Sequence, residues 1–208
     1  MSTIDERGKR VITEIEVRAA AEGDTIRLDE DALVTPLASD LAQERGVRLE
    51  RSRRRSAASR KKIALGSDHG GFEMKEQVKR VLADLGHEHQ DFGAHSTEAV
   101  DYPDYAHIVA RAVSRGGCDL GIIIDGAGIG SCMAANKVPG VRAAMCYDEA
   151  SARNSREHNG ANVLTLGAKT SPELLRKIVA AWLASELTED RHKRRVAKID
   201  AIEREYLK

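Results

Sequence analysis

Aromatic residues are scarce in this chain: one Trp, four Tyr and two Phe among 208 residues. So thin a set argues against a base-stacking platform for nucleic acid. Cysteine is scarcer still. Cys118, Cys132 and Cys146 show no CxxC spacing, so neither a disulfide framework nor a zinc site is expected. No apolar run approaches the roughly 18 residues of a membrane helix. The opening MSTIDERGKR lacks the apolar centre of a secretory signal. The expectation is a cytoplasmic protein that engages neither membrane nor nucleic acid.

Net charge is also absent, with 33 basic and 33 acidic side chains. The balance hides a pattern. Residues 1–50 carry 7 basic and 12 acidic groups, and residues 51–62 carry 7 basic and none acidic. Positive charge is thus one short block, RSRRRSAASRKK, which reads as a solvated linker over 51–61. The length suggests one domain with an appendage, and a hydrophobic content of 41% supports an ordinary core.

Residues 1–50 read as a small α+β module. A helix ends near Gly23, Thr25-Ile-Arg-Leu alternates as a strand, and Thr35-Pro36 starts a second helix that Gly46 stops. Val47-Arg-Leu-Glu closes the module as a strand, and no repeat at solenoid spacing is expected. From 62 to 208 strand and helix alternate, which predicts a doubly wound α/β domain: a five-stranded parallel sheet with helices on both faces. Its strand candidates are Ile63–Ser67, Glu88–Phe92, Leu120–Ile124, Val141–Cys146 and Val163–Leu166. Helices fit at about 72–85, 104–115, 129–136, 148–157 and 172–186, with a last one from Glu189 to Tyr206.

Ligands of such sheets bind beyond the carboxyl ends of the strands. Asp68 and His69 follow the first strand there. Gly126, Gly128 and Gly130 follow the third, where their amides suit an anionic oxygen. Asp125 directly follows an apolar run, so burial should raise its pKa and make it a proton acceptor. Cys132, in the first turn of a helix, is the alternative base. His158 and Asn159 end a helix, and Arg191 and Arg195 stand four apart, spaced to grip one phosphate. His87, His89 and His95 read as surface histidines rather than metal ligands.

Together these segments resemble the type B ribose-5-phosphate isomerases and the related galactose-6-phosphate isomerase subunits. The resemblance rests on GSDHGGFEMKE, VDYPDYA, GIIIDGAGIGSCMAANKVPGVRAA, SREHNGANVLTLG and DRHKRRV, in order, over about residues 62–208. It implies a Rossmann-like fold, metal-free and cofactor-free interconversion of aldose and ketose phosphates, and a homodimer or tetramer with shared sites. By position it implies that Asp68, His69 and Tyr102 line the sugar site and that His158 opens the sugar ring. Asn159 and the 126–130 backbone would hold an enediolate, and Arg191 and Arg195 the phosphate. The chain departs from the pattern at Asp125, where many members place a cysteine base, and at Ala127, where they place a hydroxyl. Two readings follow: an isomerase with Asp125 as base, or a non-catalytic sugar-phosphate-binding subunit that needs a paralogous partner.

The leading segment ALVTPLASDLAQERGVRL resembles a short module on enzymes associated with bacterial microcompartments. It implies docking of residues 1–50 on a shell protein.

Overall fold

Runs of β-branched and apolar residues build the central strands of this chain, such as Ile63-Ala-Leu and Gly121-Ile-Ile-Ile, whereas the edge strand Glu88–Asp91 is wholly polar. The computed structural model describes residues 2–6, 9–29, 32–51 and 60–207. It divides into two units, Met1–Ser59 and Arg60–Lys208. Most of the linker read at 51–61 lies outside the described residues. At its far end Arg60 and Lys61 pair with Glu88 and Glu186.

The first unit runs β1 (Thr3–Asp5), β2 (Val11–Ile12), α1 (Glu14–Ala19), β3 (Thr25–Leu28), β4 (Leu33–Val34), α2 (Pro36–Glu44) and β5 (Arg48–Arg51). Strands β1, β3 and β5 form one parallel sheet, and β2 pairs with β4 in a second. The registers correct the expectation of no repeat. Thr3 faces Thr25, Val11 faces Leu33, and Thr25 faces Arg48, so the chain stacks a strand–strand–helix turn at an offset of 22 to 23 residues. Each helix begins at a threonine cap. Thr13 makes a capping box with Glu16, and the Thr35 side chain accepts from the Ala38 amide. Ile12, Val17, Ile26, Leu28, Ala38 and Ala42 fill the interior.

The second unit contains β6 (Lys62–Ser67), α3 (Phe72–Asp84), β7 (Glu88–Asp91), α4 (Tyr102–Ser114), β8 (Leu120–Asp125) and α5 (Ile129–Ala135). Then follow β9 (Ala143–Met145), α6 (Glu149–Glu157), β10 (Val163–Gly167), α7 (Pro172–Ala184) and α8 (Asp190–Tyr206). All pairings are parallel, in the order β7-β6-β8-β10-β9. This is the doubly wound five-stranded sheet that the alternation predicts. Side chains alternate across it. Ile63, Leu65, Ile122 and Ile124 pack with α3 and α7, while Ala64, Ile123 and Val163 pack with α4. Strand order reverses between β6 and β8, which opens a crevice at their carboxyl ends.

One buried ion pair shapes the edge of that crevice. Lys75 of α3 is fully buried, and its Nζ donates to both oxygens of Asp91, at 2.7 and 2.9 Å, and to the Ala94 carbonyl. Ala94 and Gly93 in turn hydrogen-bond Ser67, the residue before Asp68. Of the histidines read as superficial, His87 is buried, with Nδ1 accepting from the Lys61 amide.

Burial alone would push Asp91 up, but Lys75, Lys79 and the Gly93 amide hold its pKa at about 2, against an ordinary 3.8. A depressed carboxylate stabilises the fold above its unfolded pKa, and the gain disappears as pH falls toward the folded value. The shift corresponds to about 2 kcal/mol, lost between roughly pH 4 and pH 2. Lys75→Met should cost about 3 kcal/mol at neutral pH by stranding part of that charge. Urea denaturation at pH 7 and pH 3 should show the gap between variant and parent shrinking in acid.

Candidate active site

The crevice gathers one set of the expected residues. Asp68 follows β6, its amide bonded to the Ile124 carbonyl at 3.1 Å and its Oδ1 accepting from Gly71 at 2.8 Å. His69 is tied through Nδ1 to the Val100 backbone, which leads into α4. Tyr102 opens α4 and lies against the glycine loop. A methyl on Gly130 would come within 2.6 Å of its ring, so only glycine lets the two approach.

Asp125 ends β8 and is 4% exposed. Its Oδ1 accepts from the amides of Ala127, at 2.8 Å, and Gly128, and its Oδ2 from Ser131 at 2.8 Å. The expected rise in its pKa is therefore corrected. Burial pushes it up, but hydrogen bonding from Ser131, Gly128 and Ala127 outweighs that and holds it below the ordinary carboxylate range. Gly128 is corrected as well: its amide is engaged by Asp125, and its carbonyl accepts from Thr165 Oγ1 at 2.7 Å. The amides of Gly126, Ile129 and Gly130 have no acceptor among the described residues and stay open to an anion.

Cys132 does not join this group. Its thiol donates to the Ala143 carbonyl at 3.4 Å. Cys132 sits in the first turn of α5, next to the Ser131 whose amide holds Asp125, but its thiol is aimed at the Ala143 carbonyl on β9 and not at the carboxylate.

A second set assembles elsewhere. His158 caps the carboxyl end of α6, and its Nδ1 lies 2.8 Å from Asn154 Nδ2, while Asn159 donates to Asn154. Arg156 fixes this corner by donating to the carbonyls of Ala161 and Ser185. The His158 ring stacks on that of His192 in α8, with centroids 4.1 Å apart and planes 11° from parallel. On the same helix Arg195 Nη1 lies 3.5 Å from His192 Nδ1, and Arg191 Nε lies 2.5 Å from Glu189. The sequence reading passed over His192. Its signal was a place four residues before Val196, the other buried residue of α8.

The two sets occupy opposite edges of one sheet. His158 and Asn159 lead into the amino end of β10, whereas Gly167 at its far end is level with Asp125. Among the described residues no group of three or more His, Cys, Asp or Glu could hold a metal ion, and no helix is long and apolar enough to cross a membrane.

A doubly wound sheet with a carboxylate–histidine pair and open amides at its switch point is the arrangement of an α/β protein that binds a small ligand there. Comparison with known proteins makes that particular. A family model described as Ribose/Galactose Isomerase matches residues 63–199. The ribose-5-phosphate isomerase B of Escherichia coli (strain K12) is 46% identical over 144 residues, covering 69% of this chain and 97% of the relative. The D-erythrulose-4-phosphate isomerase of Pectobacterium atrosepticum is 40% identical over 126 residues, covering 60% of this chain and 83% of that one. A solved ribose-5-phosphate isomerase B from Clostridium thermocellum superposes with a TM-score of 0.68 at 50% identity, covering 70% of this chain and 99% of its own. The chain belongs to the ribose/galactose isomerase family.

The contact between Gly130 and Tyr102 yields a direct expectation. Gly130→Ala should displace the Tyr102 ring, which is 40% exposed and free to move, and leave the fold intact. Turnover should fall at least tenfold with thermal unfolding unchanged within about 2 °C, a shift of well under 1 kcal/mol.

Proposed function

We propose that this chain interconverts an aldose phosphate and its ketose through an enediolate, at sites completed by two copies of the chain. The observation that carries the proposal is the distribution of the two residue sets over opposite edges of the sheet. Each set alone lacks half of what the chemistry requires. The mouth has acids and open amides, and the far corner has the ring-opening histidine and the phosphate-binding arginines. A two-fold pairing that faces one copy's mouth to the other's corner supplies both, as isologous contacts do. A five-carbon aldose phosphate of the ribose 5-phosphate kind is the substrate class, and the site uses neither metal nor cofactor. The similarity to an erythrulose-4-phosphate isomerase, together with the missing hydroxyl at Ala127, makes a four-carbon phosphate the second substrate to assay.

Within the site, the phosphate lies between Arg191 and Arg195, with His69 assisting. His158 moves a proton between the anomeric hydroxyl and the ring oxygen. Asp125 takes the α-proton through Oδ2, the oxygen with a single amide bond, and returns it to the neighbouring carbon. Asn159 with the Gly126 and Gly130 amides supports the enediolate oxygens.

Because Asp125 is held below the usual carboxylate range, deuterium exchange into the ketose phosphate should persist in acid below that range and show no limb near the pH 8–9 of a thiol base. Asp125→Asn should abolish turnover while phosphate still binds. Near-normal turnover in that variant, with loss in Asp68→Asn, would transfer the role to Asp68, whose Oδ2 accepts no bond among the described residues. Mixing inactive Asp125→Asn and His158→Asn proteins should restore about a quarter of parental activity, since half of randomly paired dimers carry one intact site. No recovery after subunit exchange would refute site sharing.

The first unit is proposed to dock the enzyme on a microcompartment shell protein. Val11 and Leu33, paired in register, are exposed with Ile15 and Leu37 at matching places of the two repeats. Residues 1–60 fused to a fluorescent protein should form foci beside co-expressed shell proteins, and diffuse fluorescence would reject docking.

A further inference from the structure

We infer that His192 is a positioning residue for ring opening, holding the His158 imidazole in the plane from which it transfers protons. The inference rests on the isomerase reading above.

His192 is 3% exposed, and its Nε2 has no hydrogen-bond partner although it is fully enclosed. A buried polar nitrogen without a partner destabilises a fold, and a leucine or phenylalanine would fill the same space without that penalty. Its other nitrogen faces Arg195 at 3.5 Å, and Glu189 lies 3.7 Å from Nε2, too far for a hydrogen bond. The ring is therefore boxed between α6 and α8, with one face on His158.

His158 needs such a support. Among the described residues its in-plane anchor is Asn154 at Nδ1, and a ring held at one nitrogen can still swing about that contact. A nearly parallel ring 4.1 Å away removes the swing on one side. The groups that face His192 are His158 at the end of α6 and Glu189, Arg191 and Arg195 on α8. Burial, with His158 and Arg191 adding to it, pushes the His192 pKa down and keeps the ring uncharged, so His158 does not stack on a cation.

In the step concerned, His158 accepts the proton of the O1 hydroxyl as the C1–O4 bond breaks and the C1 carbonyl forms. It then returns a proton to O4. A ketose 5-phosphate is open-chain, so exchange of its α-proton with solvent bypasses this step. That separates positioning of His158 from damage to the mouth.

The test uses full-length protein, ribose 5-phosphate and ribulose 5-phosphate in deuterium oxide. His192→Ala should lower kcat for ribose 5-phosphate at least tenfold, with KM changed less than threefold. Deuterium exchange into ribulose 5-phosphate should stay within threefold of the parent. His192→Phe, which keeps a stacking ring, should restore kcat to within threefold of the parent. Equal loss of conversion and exchange in the alanine variant, or no recovery with phenylalanine, would overturn the assignment. A parent protein that neither converts ribose 5-phosphate nor exchanges ribulose 5-phosphate would defeat the isomerase reading itself.

Discussion

An ionised carboxylate holding three backbone amides organises the mouth of this molecule. Asp125 is almost wholly removed from water, and a charge in that position persists only where donors converge on it. Ala127, Gly128 and Ser131 supply them, because Gly128 takes a left-handed conformation at φ +77° that turns successive amides inward. The dependence is mutual. Without the carboxylate those amides would be buried donors lacking acceptors. Strand end, loop and the first turn of α5 are thereby locked together. Tyr102 rests on this unit at Gly130, and Asp68 is tied to it through Ile124.

The parallel sheet imposes the second constraint. Every helix between parallel strands must carry the chain back to the starting edge. Helix α6 does so with its own polar end, delivering His158 and Asn159 to the edge opposite Asp125. Helix α8 meets that end, where its His192 side chain closes on His158 and its Arg142–Asp200 ion pair at 3.0 Å fixes the lower half. The same topology that builds a crevice at one edge thus places the complementary groups where that crevice cannot reach them. The shared site proposed above would join them by association, which needs no change of fold.

Much of this was legible in residues alone. Apolar runs such as Gly-Ile-Ile-Ile before Asp125 give the strands, and the acids and glycines that follow them fall at the carboxyl edge by topology. Other features were hidden for identifiable reasons. An apolar run announces burial of Asp125 but says nothing about the amides that a loop turns toward it, so the direction of its pKa shift was misread. Cys132 does lie beside the mouth in the first turn of α5, but residue spacing could not show that its thiol turns to the Ala143 carbonyl. His192 sat in a basic stretch that resembles a solvated face, and only the packing of α6 on α8 reveals it as interior. The repeat of the first unit escaped because its turns share little beyond Val11-Ile-Thr and Leu33-Val-Thr, and because its helices span 6 and 9 residues.

A carboxylate held this firmly is a weak base, and the proposed reaction has to compensate. Weak basicity lowers the driving force for proton abstraction, although the group is fully ionised at neutral pH. The compensation lies in where the charge goes. In the proposed reaction Asp125 would become neutral as it accepts the proton, and would loosen its hold on the Ala127, Gly128 and Ser131 amides as negative charge develops on the enediolate oxygens. The charge moves a few ångströms within one cluster of donors instead of leaving it, and the low dielectric around those donors strengthens whichever anion they face. A thiolate without such bonds begins with greater basicity but leaves the same amides free from the outset. In the proposed mechanism, aspartate in place of the cysteine that the resemblance implies would therefore alter when the loop stabilises charge more than how strongly it does so.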